Sequence, residues 1–150
     1  MKKVEIIGAG FFGLTASLIL SKKFKVTVFE KSSDILNQSS KVNQFRFHLG
    51  YHYPRSKKTV EEIKENYPKF LKFYKKKNIF GNTQNYYGIA SKGSKISYNK
   101  FLNFLNKHNL YHKKNYKYFS DKFISGSVIT KEISLNYFHF KSYLKRLIKK

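Results

Sequence analysis

Hydrophobic positions change period along the chain, and the changes mark its elements. Val4, Glu5, Ile6 and Ile7 form a short apolar run of strand type, and residues 25–29 form a second, rich in β-branched residues. Between them, residues 11–22 read as a helix entered through a glycine-rich turn. Strand, turn, helix and strand within about thirty residues make a βαβ unit, whose strands are parallel and whose crossover is right-handed. Residues 31–44 are polar and rich in Ser and Asn, predicting a loop that leaves the carboxyl end of the second strand.

Beyond the loop, residues 45–55 alternate aromatic and polar types up to Pro54. Ser56 offers a helix N-cap, with Glu61 and Glu62 near the start of the helix. Pro68 lacks an amide proton and crowds the preceding turn, which predicts a break after Asn66 and a second helical piece ending near Lys77. Residues 86–90 read as a strand, and residues 98–107 as an amphipathic helix with Phe101, Leu102, Phe104 and Leu105 on one side. Residues 116–119 and 128–133 are further strand candidates. A last helix from Tyr137 carries Phe140, Tyr143, Leu144, Leu147 and Ile148 at helical spacing, which is a core-facing stripe. No internal repeat is present.

Composition narrows the class. With 41% hydrophobic and 18% aromatic residues, the 150-residue chain carries enough apolar surface for a real core, so it is globular and not disordered. The formal net charge is +23, yet only Arg46, Arg55 and Arg146 are arginine; the other basic residues are lysine. Arginine, not lysine, presents the planar fork that favours bidentate contacts to phosphate and guanine, and Lys, Asn, Ile, Phe and Tyr all have A/T-rich codons. The charge therefore fits coding composition better than a nucleic-acid interface, and no specific nucleic-acid partner is expected. Absence of cysteine excludes disulfides, thiolate metal sites and a cysteine nucleophile. Met1, Lys2 and Lys3 before an apolar run imitate a secretory signal. Glu5 interrupts that run, and its three glycines leave it short of a membrane span, so a cytoplasmic protein is the expectation.

The turn between the first strand and helix carries the chemistry. Gly8, Ala9, Gly10, Phe11, Phe12 and Gly13 match G-x-G-x-x-G. In such a turn the first glycine permits the sharp reversal, the second admits a pyrophosphate to the backbone, and the third lets helix and strand pack. Free amides at the helix N-terminus then bind the phosphates. Glu30 follows the second strand, where a carboxylate accepts hydrogen bonds from ribose hydroxyls; an acid there disfavours a 2′-phosphate and hence NADP. The fold class predicted is α/β, with a Rossmann-like FAD/NAD(P)-binding βαβ unit of parallel strands plus part of an α+β domain. The plainer alternative is a glycine turn in an unrelated α/β protein with Glu30 merely solvated.

Residues 1–55 resemble the N-terminus of FAD-dependent oxidoreductases of the D-amino-acid oxidase type. Gly8 to Ala16 follow that family's G-x-G-x-x-G-L-x-A pattern, and Glu30 is followed by the basic Lys31. The segment from Asn43 to Ser56 resembles a variant that approaches the flavin ring and substrate pocket. Residues 128–150, with Glu132 and the closing helix, are similar to the stretch that returns from the substrate domain to the FAD domain. The resemblance implies FAD as cofactor, held by Gly8, Ala9, Gly10, Phe11, Phe12, Gly13, Glu30, Lys31, Ser40 and Asn43. It also implies oxidation of an amine or amino acid by hydride transfer, with Arg46 and His48 as catalytic residues. Residues 1–55 would be the first part of the FAD-binding domain, 56–136 part of a substrate domain, and 137–150 a helix leading back. Two departures stand out: Ile35, Leu36, Asn37 and Gln38 contain none of the glycines common in that loop, and the later Gly-Asp-type segment of the family is absent, so the chain matches a portion of such an enzyme.

Without the resemblance, Arg46, His48, Tyr51, His52, Tyr53 and Arg55 set cations and hydroxyls among aromatic rings, a setting suited to a carboxylate substrate. The same alternation also describes a strand with an aromatic core face and a solvated basic face. His48 and His52 lie four apart, but in a segment that does not read as helical and has no acid nearby in sequence; His108 and His112 share the spacing beside Lys107, Lys113 and Lys114, which repel a cation, and no metal is expected. Two other classes remain open: a small basic protein that binds nucleic acid or an anionic surface, and a compact NAD-binding domain.

Overall fold

A computed structural model of the chain describes residues 1–43, 45–74, 79–115 and 117–148. In chain order its elements are β1 (Lys3–Ile7), α1 (Phe11–Leu20), β2 (Lys25–Phe29), β3 (Arg46–Phe47), α2 (Lys57–Phe73), β4 (Phe80–Ala90), α3 (Tyr98–Lys107), β5 (His112–Asn115), β6 (Ile124–Leu135) and α4 (Tyr137–Ile148). They divide into two compact units, one of Met1–Phe45 with Leu135–Lys150, the other of Arg46–Ser134. The sequence placed the corresponding boundaries at residues 55 and 136. The unit boundary falls earlier because Arg46 and Phe47 pair with Ser134 and Ile133 of β6.

In the first unit β1 and β2 pair in parallel, with Val4 opposite Val26 and Ile6 opposite Val28. These four side chains lie on one face and are partly buried. The alternate residues point the other way, so Ile7 and Phe29 are exposed. Helix α1 buries Leu14 and Ser17, while α4 buries Tyr137, Phe140 and Leu144. Phe11 of α1 lies against Phe140, their ring centroids 5.8 Å apart. Asp34 joins the loop after β2 to α4 by accepting from Lys141 at 3.0 Å and Lys145 at 2.7 Å. Hydrogen bonds from those two ammonium groups pull the Asp34 carboxyl down to about 2.

The second unit is built on β6. Side-chain bonds from Ser125 to the Ile89 carbonyl, Thr130 to that of Asn85 and Ser134 to that of Gly81 show β4 running antiparallel along one edge. Strands β3 and β5 share the opposite edge, both antiparallel to β6. The core comprises Tyr51, Val60, Phe101, Phe104, Leu105, Leu110 and Val128, so the apolar stripe of α3 is its centre. Each long helix here starts at a serine cap: Ser56 Oγ accepts from the Thr59 amide at 3.3 Å and Ser97 Oγ from the Lys100 amide at 3.3 Å.

Two expectations are corrected. Helix α2 continues through Pro68 as one helix. Proline removes a single backbone bond, whereas aromatic contacts hold the helix on both sides of it: Phe47 meets Tyr67 at 5.7 Å and Phe70 at 4.1 Å, and Phe70 meets Tyr74 at 4.8 Å. The lysine-rich end predicted at residues 75–77 lies outside the described residues. The strand expected at 116–119 is instead β5, because His112–Asn115 carry the pairing to β6; residues 117–119 bend, and Tyr116 is outside the described set. Among the described residues no helix is long and apolar enough to cross a membrane.

Candidate functional site

The glycines of the first turn do different jobs. Gly8 has φ +99°, a left-handed conformation open chiefly to glycine, and its amide closes the turn by donating to the Phe29 carbonyl at 2.7 Å. At Gly13 a Cβ would lie 2.0 Å from the Gly8 carbonyl oxygen, so helix and turn touch backbone to backbone. Gly10 is open: the nearest atom to a Cβ there is Ser40 Oγ at 3.7 Å. Room for a side chain that the protein leaves unused is what a pyrophosphate requires at the second glycine. Phe11 donates its amide to Ser40 Oγ at 3.1 Å, and the Phe12 and Gly13 amides follow on the same first helical turn, where no intrahelical acceptor exists.

Glu30 is held at this turn. Its Oε2 accepts from the Ala9 amide at 2.7 Å and its Oε1 from the Ser32 amide at 2.8 Å, and these bonds, Ser32 first, lower its pKa. The carboxylate therefore stays ionised and keeps lone pairs for hydroxyl donors. A cleft of about 580 Å³ is lined by Ala9, Leu18, Val28, Ile35 and Leu147, among others, with Ser17, Ser21 and Glu30 supplying polar groups. The structure thus brings Gly8, Ala9, Gly10, Phe11, Gly13, Glu30 and Ser40 together. Phe12 belongs by its backbone, its ring being exposed. Lys31 is an exposed side chain beside Glu30, and Asn43 folds back locally, its Oδ1 accepting from the Phe45 amide at 2.7 Å.

Leu36 is the residue that sequence reasoning missed here. It adopts φ +56°, the conformation a loop glycine would supply, while its side chain is only 1% exposed. Its amide donates to the Ala9 carbonyl at 2.9 Å and its carbonyl accepts from the Tyr137 hydroxyl at 3.1 Å. Burial and two backbone bonds thus hold a bulky residue in a conformation that ordinarily favours glycine.

In the second unit Arg46 and His48 converge on Glu132, whose side chain is fully buried. Glu132 Oε1 accepts from the Leu49 amide at 3.1 Å and Oε2 from the Tyr87 hydroxyl at 2.9 Å; Arg46 Nη1 stands 3.6 Å from Oε2 and His48 Nδ1 3.8 Å from Oε1. Burial alone would raise the Glu132 pKa, but His48, the Leu49 amide and the Tyr87 hydroxyl outweigh it and hold the carboxyl below its ordinary value. Arg46 Nη2 lies 2.8 Å from His52 Nε2. Guanidinium has no acceptor, so His52 accepts there as the neutral ring, and burial with the charges of His48 and Arg46 lowers its pKa accordingly. A cavity of about 260 Å³ adjoins the cluster, lined by Arg46, Phe47, His48, Ile63, Tyr67 and Phe70, with Asn66. The predicted pair is therefore adjacent, but Arg46 is already committed to protein groups and could clamp a carboxylate only by exchanging Glu132 for it. Glu132 stands out in the sequence only within the stretch of residues 128–150 that carries the resemblance, with nothing to tie it to Arg46 and His48; its partner Tyr87 carried no comparable signal.

These features define an α/β protein with a Rossmann-like dinucleotide-binding βαβ unit. Comparison agrees: the family described as NAD(P)-binding Rossmann-like domain matches residues 6–76. Among curated proteins, the chain is 32% identical over 95 residues to FAD-dependent monooxygenase FPY4 of Fusarium mangiferae, covering 63% of this chain and 26% of that protein. It is 38% identical over 73 residues to FAD-dependent monooxygenase kojA of Aspergillus flavus, covering 48% of this chain and 17% of that protein; a probable kojA of Aspergillus oryzae matches equally. The chain thus spans about a quarter or less of the curated relatives it matches. No solved structure matches it significantly.

Proposed function

We propose that this chain holds the adenosine and pyrophosphate half of FAD for a flavin-dependent oxidoreductase. The observation that carries the reading is the division of labour in the turn: Gly8 and Gly13 are closed by backbone geometry while Gly10 is left open above the start of α1, with Glu30 fixed beside it. Gly10 admits the pyrophosphate, and the Phe12 and Gly13 amides with the helix dipole face it. Glu30 accepts from ribose hydroxyls, and the aliphatic side chains of the neighbouring cleft, with Ser17 and Ser21 for polar edges, suit the adenine ring. Ser40 adds a hydroxyl beside Gly10, and Lys31 and Asn43 are the further polar side chains assigned to the cofactor in this reading.

When bound, the flavin supplies the two-electron acceptor that no side chain of this chain provides. Arg46 and His48 serve the substrate: Arg46 as a positive charge anchored by Glu132, His48 as an imidazole whose side chain is 37% exposed. The substrate class is an amine or amino acid, which gives up hydride from the carbon bearing its nitrogen. The names of the fungal relatives favour a second reading, in which the same cofactor serves oxygen insertion.

Binding is tested on the full chain by titrating FAD, NAD and NADP separately, with Gly10→Val as control. Retention of flavin absorbance by the native chain and its loss in the variant is the expected result. Preference for NAD over FAD, or equal flavin retention by both proteins, would reject the reading. Mass analysis of products formed from an amine separates oxidation from oxygen insertion.

A further inference from the structure

We propose that one end of the second unit is a docking surface for a membrane with anionic headgroups. Two loops meet there, residues 91–97 and residues 117–123. Ser91 ties them, its amide donating to the Phe123 carbonyl at 3.0 Å and its hydroxyl to the Lys122 carbonyl at 3.4 Å. The Phe123 amide donates in turn to the Ser120 carbonyl at 3.0 Å, so hydrogen bonds fix both backbone polar groups of Phe123. Its ring is nevertheless 66% exposed, and that of Tyr118 is 59% exposed, edge-on to Tyr86 at 4.7 Å. The exposure belongs to a braced turn.

The first loop carries Lys92 and Lys95 and the second Lys117 and Lys122, against the single acid Asp121. Lys117 Nζ stands 5.6 Å from the Tyr118 ring centre and Lys122 Nζ 5.6 Å from that of Phe123. A ring with an ammonium on a four-carbon stem beside it is an amphipathic pair: the ring enters the headgroup boundary while the stem carries the charge to a phosphate. Anionic lipid supplies the complementary charge. A nucleic-acid surface would present arginine forks, whereas these loops contain no arginine and each exposed ring has a lysine ammonium beside it. The inference is independent of the oxidoreductase reading.

The native chain lacks tryptophan, so Phe123→Trp introduces a single reporter. With vesicles containing phosphatidylserine its emission should shift to the blue and be quenched by brominated acyl chains, with neither change in pure phosphatidylcholine. Phe138→Trp, at a site 75% exposed in the first unit, should remain solvent-like. Joint Lys117→Gln and Lys122→Gln substitution should weaken vesicle binding about fivefold per lysine, so roughly twenty-five-fold together. Lys22→Gln with Lys23→Gln, an equal change in charge, should weaken it much less. Equal weakening by both pairs, or vesicle binding without a blue shift at position 123, would overturn the proposal in favour of diffuse attraction to the net charge. A single-stranded oligonucleotide that moves the position-123 signal where vesicles do not would overturn it in favour of a nucleic-acid surface.

Discussion

Separating the second glycine from the third is the sharpest trial of the dinucleotide turn. Gly13→Ala would put a methyl 2.0 Å from the Gly8 carbonyl oxygen, where ordinary contact begins at 3.4 Å, so turn and helix must part by about 1.4 Å. Overpacking of this kind costs about 1 to 3 kcal/mol, and here the obstructing atom is backbone, which favours the upper end. Alanine returns about 1 kcal/mol of helix propensity, leaving a net loss of about 1 to 2 kcal/mol and a fall in Tm of roughly 2 to 8 °C. Gly10→Ala meets only Ser40 Oγ at 3.7 Å and sits at φ −75°, which any residue adopts. Its stability should stay within about 0.5 kcal/mol of the native chain, while a methyl in the path of the pyrophosphate should cost at least about tenfold in FAD affinity. Thermal unfolding followed by circular dichroism reads the first quantity and isothermal titration with FAD the second. If Gly10→Ala binds FAD as well as the native chain, the open space at Gly10 is not the phosphate approach and the reasoning fails.

Three other perturbations probe the supports of the two units. Glu132→Gln removes the buried negative charge facing Arg46 and His48 and should destabilise the chain by about 3 kcal/mol in urea denaturation; a loss below about 1 kcal/mol would mean that Arg46 does not depend on it. Leu36→Gly relieves a left-handed backbone worth about 1 kcal/mol but empties a buried leucine site worth about 3, so a net loss of about 2 kcal/mol is expected, and a gain would show that backbone strain dominates. Because the Asp34 carboxyl is lowered from 3.8 to about 2 by Lys145 and Lys141, its contribution is present above pH 3.8 and is lost as pH falls towards 2. Asp34→Asn should abolish that part of the acid sensitivity, which carboxyl-resolved NMR titration with matched unfolding curves would reveal.

The local elements were written in the sequence wherever one short-range rule governed them. Residues 25–29 and 98–107 form the expected strand and helix, and the βαβ turn follows from glycine spacing set between a strand and a helix pattern, because steric limits on φ and backbone approach act within a few residues. Glu30 was legible for the same reason, standing at the end of its strand. What tertiary structure decided depended on partners distant in sequence. Pro68 lies inside one helix because Phe47, Tyr67, Phe70 and Tyr74 pack around it, and Leu36 holds a positive φ because Ala9 and Tyr137 bind both its backbone groups. Arg46 and His48 could be named together through the resemblance of residues 43–56, but not their convergence on the buried Glu132, more than eighty residues away along the chain. A dihedral preference belongs to a residue and its neighbours, whereas a buried charge is settled by whichever element brings the opposite charge to it.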